Sequence, residues 1–190
     1  MSARVSPARE RILATASKLF YKHGIHKVGI DRIIAESGAA KMTFYHHFPS
    51  KDNLILAYLA RINGQWSTWL QSRVTAASPD PRVRLIGVFD ALEEWFRTPE
   101  FRGCPFINMV AETGDPASPL FKAAWDFKRG FRDYLVELVR EARLHNPREL
   151  AEQLLMLADG AIIQAAMRGD AGSARTAKKA AKMLIAAARD

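Results

Sequence analysis

The 190-residue chain predicts an all-α fold: a three-helix helix-turn-helix domain over residues 1–49, then a larger helical bundle over residues 50–190, about nine helices in total. Three observations carry that expectation. Apolar residues recur at helical spacing through nearly every segment, and no alternating strand pattern is found. Proline, glycine and small polar residues break the chain at intervals suited to helices. Between Ile30 and Leu54 two short helices and a glycine turn are compressed into one stretch.

Taken in order, Ser6-Pro7 marks a helix start with proline at the first helical position. Ile12, Ala16, Leu19 and Phe20 form its inner face, and Gly24 ends it. Asp31 to Ser37 is the second helix. Gly38 stops it, because glycine takes a positive φ at no steric cost. Lys41 to His47 is the third, closed by Phe48-Pro49, since the residue before proline disfavours the α region. Ser50 caps a long fourth helix that reaches about Ala76, with Asp52 favoured in its first turn by the helix dipole. Ala77 to Pro81 is a break. A fifth helix spans about Val83 to Arg97, a short sixth Pro105 to Glu112, and a long seventh Pro119 to Arg143. Asn146-Pro147-Arg148-Glu149 reads as a capped start for an eighth that reaches about Met167. Gly169 to Gly172 is a turn, and Ser173 is read as the cap of the last helix.

A short, donor-rich helix held at an angle to a partner is the geometry that enters a DNA major groove. Lys41, Thr43, Tyr45 and His46 supply the donors. Ile34-Ala35, Gly38, Lys41, Thr43, Tyr45 to Phe48, Ser50-Lys51 and Leu54, with Ala16, Leu19-Phe20 and Gly24 before them, resemble the DNA-binding domain of the TetR family of bacterial transcriptional regulators. The resemblance covers about residues 8–66. It implies phosphate contacts from Tyr45, His46 and Lys51, which fix register without reading sequence. Base contact then falls to Ala39, Ala40, Lys41, Met42 and Phe44, with Thr43 placed for a phosphate or a thymine methyl. Three positions depart from the family's habit: Ala39 replaces a larger aliphatic, Ala40 a capping serine, and Met42 a glycine. Arg4 and Arg9 are candidates for a flanking groove or phosphate.

Charge supports the same end of the chain. Up to Lys51 there are nine basic residues and three acidic ones, +6 of a total +8. Such an asymmetry suits a polyanionic partner. A single cysteine, Cys104, excludes an internal disulfide and a thiolate zinc cluster. No apolar run approaching the ~18 residues of a membrane span is seen, and the amino end lacks a signal-peptide core, so a cytoplasmic protein is expected; the resemblance implies a bacterial one, nucleoid-associated when bound. His46 and His47 point about 100° apart on a helix and do not readily share a metal. His23 and His26, either side of Gly24, are read as solvated or capping residues. No metal, cofactor or catalytic residue is expected, because no nucleophile–base pair, ligand spacing or phosphate loop is present.

The remainder is rich in aromatics. Trp66, Trp69, Phe89, Phe106, Met109 and Trp125 are the candidates to line a pocket for a small hydrophobic or aromatic effector, with Gln65, Asn108 and Glu112 as polar contacts. The resemblance implies such an effector. Arg102 to Met109 also resembles a motif recurrent in one branch of that family. The eighth helix is apolar on two sides, which requires cover beyond one neighbour. The expectation is a homodimer with a four-helix interface, using Leu155, Ile162 and Ala166 with Ala177, Ala181 and Leu184; the basic face of the last helix is read as solvated. Together these readings give a repressor that binds a palindromic duplex as a dimer and is released by an effector. A DNA-binding regulator controlled by a protein partner, or a helical enzyme using the aromatic cavity, are the alternatives.

Overall fold

The computed structural model describes residues 6–189. The described residues form nine α-helices and no strand: α1 Pro7–His23, α2 Ile30–Ser37, α3 Lys41–His47, α4 Lys51–Ala77, α5 Pro81–Phe96, α6 Pro105–Thr113, α7 Pro119–Glu141, α8 Pro147–Arg168 and α9 Gly172–Ala187. They group into two compact units. The first takes residues up to Asn63 together with Pro105–Ala124, and the second takes Gly64–Cys104 and Trp125 onward. A division at residue 49/50, expected from the sequence, thus differs from the grouping by contact. The start of α4 and all of α6 belong with α1–α3.

In the first unit, Pro7 opens α1 and Gly24 closes it at φ 87, its N–H donating to the Phe20 carbonyl. Ser6 makes no capping bond. Its hydroxyl shares a hydrogen bond with His47 Nε2 at 3.2 Å instead, tying the start of α1 to the end of α3. Ile12, Leu13, Ala16, Leu19 and Phe20 from α1 meet Ile33, Phe44, Phe48, Leu54 and Tyr58 in one buried core. Phe20 and Tyr58 pack with ring centroids 5.5 Å apart. Burial of each such side chain contributes roughly 1.5–3 kcal/mol.

In the second unit, α5, α8 and α9 pack on one another. Asp80 caps α5 by accepting from the Arg82 N–H at 2.9 Å, so α5 begins two residues before the expected Val83. Asn146 does not repeat this. It lies in the left-handed region at φ 48 and makes no side-chain cap. Arg143, at φ 53, has already ended α7. Ser173 lies inside α9 as a cross-link, donating to the Ala161 carbonyl of α8 at 2.9 Å. Its burial replaces the expected cap role. The basic face of α9 is partly engaged. Arg175 pairs with Glu93 at 2.6 Å and Lys178 with Asp90 at 2.5 Å, both on α5. By length and composition α8 is apolar enough to cross a membrane, unlike the sequence expectation, yet 44% of that apolar window is buried inside the chain. Its apolar character answers the packing of α5 and α9.

Candidate nucleic-acid interface

The geometry of α3 begins with what holds it. Gly38 ends α2 in the left-handed region, at φ 63 and ψ 24. Ser37 is buried beside it and donates to the Ile34 carbonyl. Ala40 follows in extended conformation as the N-cap, with no side-chain acceptor for the free amides. Phe44 is 0% exposed and Phe48 2%, their rings 6.2 Å apart. These two anchors fix the inner face of the helix, and the Arg9 guanidinium lies over the Phe48 ring at 5.1 Å.

The outer face is the complement. Met42 is 81% exposed and Tyr45 40%. Ala40, Lys41 and His46 are exposed too, and Thr43 is half-buried. Ser50 begins the next helix by accepting from the Asn53 N–H at 3.1 Å, which places half-buried Lys51 in its first turn. Among the described residues, neither Lys41 nor Lys51 pairs with a carboxylate. A two-turn helix therefore presents one ammonium, a hydroxyl, a phenol and an imidazole, with a second ammonium nearby. Phe44 is the exception among the expected base readers. Its side chain is the hydrophobic anchor and is out of reach of any groove. Arg4 lies outside the described residues.

The expected effector residues fall in both units. Phe106 and Met109 are buried in the first, where α6 lies. Phe89 is buried in the second, Trp66 and Trp69 are half-buried, and Trp125 is 59% exposed. Trp66 stands edge-on to Phe127 at 5.4 Å, to Phe131 at 5.0 Å and to Trp95 at 6.2 Å. Its indole N–H is buried and has no hydrogen-bond partner. Such a donor costs roughly 1–3 kcal/mol if left unsatisfied. Glu112 is not a polar contact for these aromatics; its carboxylate accepts from the His26 N–H. Burial of the Tyr134 phenol raises its pKa, an effect that nearby Arg84 lowers and Glu141 adds to. No cluster of three or more metal-ligating side chains stands among the described residues.

Of the six residues expected at a subunit contact, Leu155, Ile162, Ala177 and Ala181 are buried within the single chain. Intrachain packing of α5, α8 and α9 covers most of their surface. Leu184 is half-buried and Ala166 exposed. A third side of α8 was not apparent from the sequence. Met156 (69% exposed), Ile163 (42%) and Met167 (77%) line it, and Met183 of α9 is 74% exposed. Met156, Gly160, Ile163 and Met167 recur at helical spacing, the signal that points to this face. Gly160, Ala161 and Ala180 line an open groove of about 580 Å³ alongside.

Two family models match the chain. The model described as "Bacterial regulatory proteins, tetR family" matches residues 12–58, and "Tetracyclin repressor-like, C-terminal domain" matches residues 81–181. SCO4454, a TetR-family transcriptional regulator from Streptomyces coelicolor, has a crystal structure 35% identical in sequence. It covers 96% of each chain with a TM-score of 0.86. The HTH-type transcriptional regulator YxaF of Bacillus subtilis is 32% identical over 115 residues, and the match spans only 60% of its length. The HTH-type transcriptional repressor NemR of Escherichia coli is 24% identical over 83% of each chain.

Proposed function

The chain belongs to the TetR family of bacterial regulatory proteins and is a DNA-binding transcriptional regulator, and on that footing we propose that it is a repressor. It holds a palindromic operator as a homodimer and lets go when a small aromatic effector binds. The observation that carries the DNA contact is the two-sided α3: Phe44 and Phe48 sealed inside, Met42 and Tyr45 turned outward. Lys41, Thr43, Tyr45, His46 and Lys51 hold phosphates, and Ala40, Lys41 and Met42 meet the base edges. With Phe44 unavailable, apolar contact with thymine methyls falls to Ala40 and Met42.

Two copies meet through the outer face of α8 and α9, around Met156, Gly160, Ile163, Met167 and Met183. Small residues between exposed methionines permit close approach of helices. Two α3 helices must then sit about 34–36 Å apart to enter successive major grooves. The effector reading rests on the Trp66 aromatic cluster. Its unpartnered N–H suits a planar ligand that carries one hydrogen-bond acceptor. Such a ligand shifts the protein between conformers by no more than its difference in affinity for the two. NemR is named as a repressor, which favours that sign of regulation. The protein works in the cytoplasm, on the nucleoid when bound.

Selection of duplexes from a random pool tests the proposal. A palindromic consensus and a steep fall of affinity with salt are expected. Recovery of no preferred duplex at low ionic strength overturns it.

A further inference from the structure

Much of the charge excess at the amino end lies away from the side that α3 presents. Glu10 is paired with Arg61 at 2.5 Å and Glu36 with Arg32 at 2.7 Å, while Lys41 and Lys51 stand at the starts of α3 and α4. Arg11, Lys18 and Lys22 are elsewhere, on α1. Residues four and seven apart share one side of a helix, so the three form a single stripe, roughly 16 Å long at 1.5 Å per residue. The opposite side of α1 is the one that meets α3. There Arg9 lies over the Phe48 ring at 5.1 Å, and Leu13, Ala16 and Phe20 are buried in the core that Phe44 and Phe48 enter. Each cation of the stripe comes two residues after a member of that inner side, Arg9, Ala16 or Phe20, and is turned about 200° from it. All three are exposed, and none pairs with a carboxylate among the described residues. Local helix energetics do not account for the stripe. Lys22 suits the dipole at the C-terminal end of α1, but Arg11 has no such role, and Lys18 and Lys22 at i,i+4 repel.

We propose that this stripe is a second duplex-binding surface: a protein seated on its operator through α3 holds another segment of DNA along α1, by phosphates alone. The inference rests on the DNA-binding reading above. Charge complementarity and the make-up of the face choose the partner. Protein interfaces draw most of their affinity from a few large, desolvated anchors, and a helix that lies on a membrane inserts large apolar side chains. No large apolar side chain of α1 is exposed. Between the cations stand Ala14 and Thr15, small and half-buried. Duplex DNA needs only flexible cations, because one negative charge recurs every ~1.7 Å of its axis and counterion release drives the contact. The stripe is turned away from α3, so it is open to a second duplex while α3 is occupied by the first.

The test uses the full chain and two duplexes. The operator duplex from pool selection is immobilised and saturated with protein, and a fluorescent duplex of scrambled sequence is offered at low ionic strength. Wild type is expected to capture the second duplex. The logarithm of that affinity should fall with the logarithm of salt at a slope of about −2.7, about 0.9 for each of the three cations of one subunit. Arg11→Gln/Lys18→Gln/Lys22→Gln is expected to hold the operator within about threefold of wild type, with the same salt slope, and to lose capture about tenfold. Capture retained by that variant overturns the stripe and assigns the second contact to α3, which the variant leaves intact. A shallower operator slope in the variant places the three cations on the operator itself and overturns the second surface, as does wild type that holds the operator and captures nothing. Displacement of the second duplex by poly-glutamate at equal charge gives the face to an acidic protein and overturns the choice of DNA. If the triple variant fails to fold by circular dichroism, Lys18→Gln/Lys22→Gln is judged by the same loss. Wild type that binds no duplex in either position overturns the operator reading and this one with it, and direct anisotropy on the operator distinguishes that case.

Discussion

At the scale of the residue, α3 is a balance of two anchors against a handful of donors. Tyr45→Phe is expected to leave the melting midpoint unchanged while weakening duplex affinity about a hundredfold, the scale of two hydrogen bonds to charged groups, one from each subunit. Anisotropy titration beside a thermal melt checks both halves. Phe44→Ala does the reverse, removing a fully buried ring at a cost of about 3–5 kcal/mol. Ala40 offers a gain. It sits at the N-cap in extended conformation, φ −68 and ψ 146, with no acceptor. Ala40→Ser is expected to stabilise the first unit by about 1 kcal/mol, visible as a higher unfolding midpoint. Tyr134 gives a pH dependence. Its folded phenol titrates above the ordinary value of about 10. The folded state therefore holds the proton more tightly than the unfolded chain, and stability is lost as pH rises from about 10 through the folded pKa. Tyr134→Phe should remove that part of the alkaline decline in denaturant titrations at stepped pH.

Among the elements, what was legible is what local chemistry decides. The bounds of α2 and α3 follow from Gly38, Phe48-Pro49 and Ser50, each of which acts within a turn of its own position. Start signals divided where local chemistry was not enough. Asp80 and Asn146 each precede a proline, yet only Asp80 caps, because Arg143 and Asn146 both turn left-handed in the short α7–α8 connection. Ser173 resembles a cap in sequence but is a buried cross-link to Ala161, a partner that no local pattern identifies. Faces of α8 were hardest to assign, since apolar residues surround the helix and periodicity alone cannot say which side meets α5 and α9. The side left over makes a prediction. Ile163→Asp places a charge on the exposed apolar face and should yield monomers by sedimentation equilibrium with the helical signal intact. Leu155→Ala, at a buried position, should instead lower stability by about 2–5 kcal/mol and leave the assembly state unchanged. Dimeric Ile163→Asp protein would remove this face as the subunit contact.

For the whole molecule, sequence order conceals that α6 belongs with the reading helices. Nothing near Glu112 announces Gly24 or His26, and only folding brings them together. Charge, by contrast, was visible at once, with +6 of the total +8 lying in residues up to Lys51. That asymmetry combines with the subunit face in one measurable quantity. Each phosphate neutralised by a lysine or arginine releases counterion, so the logarithm of affinity falls with the logarithm of salt with a slope of about −0.9 per contact. A dimer carries two copies of α3 and of Lys51, and its phosphate contacts are double those of one subunit. The slope for wild type on the selected duplex should therefore be about twice that of monomeric Ile163→Asp on the same duplex. Affinity alone would not separate the cases, because a weaker monomer and a damaged α3 both bind poorly. The slope separates them: a damaged α3 in an intact dimer loses contacts one pair at a time, whereas a monomer loses half together. Equal slopes for the two proteins would mean that one subunit makes every phosphate contact, and the paired-helix arrangement would have to be abandoned.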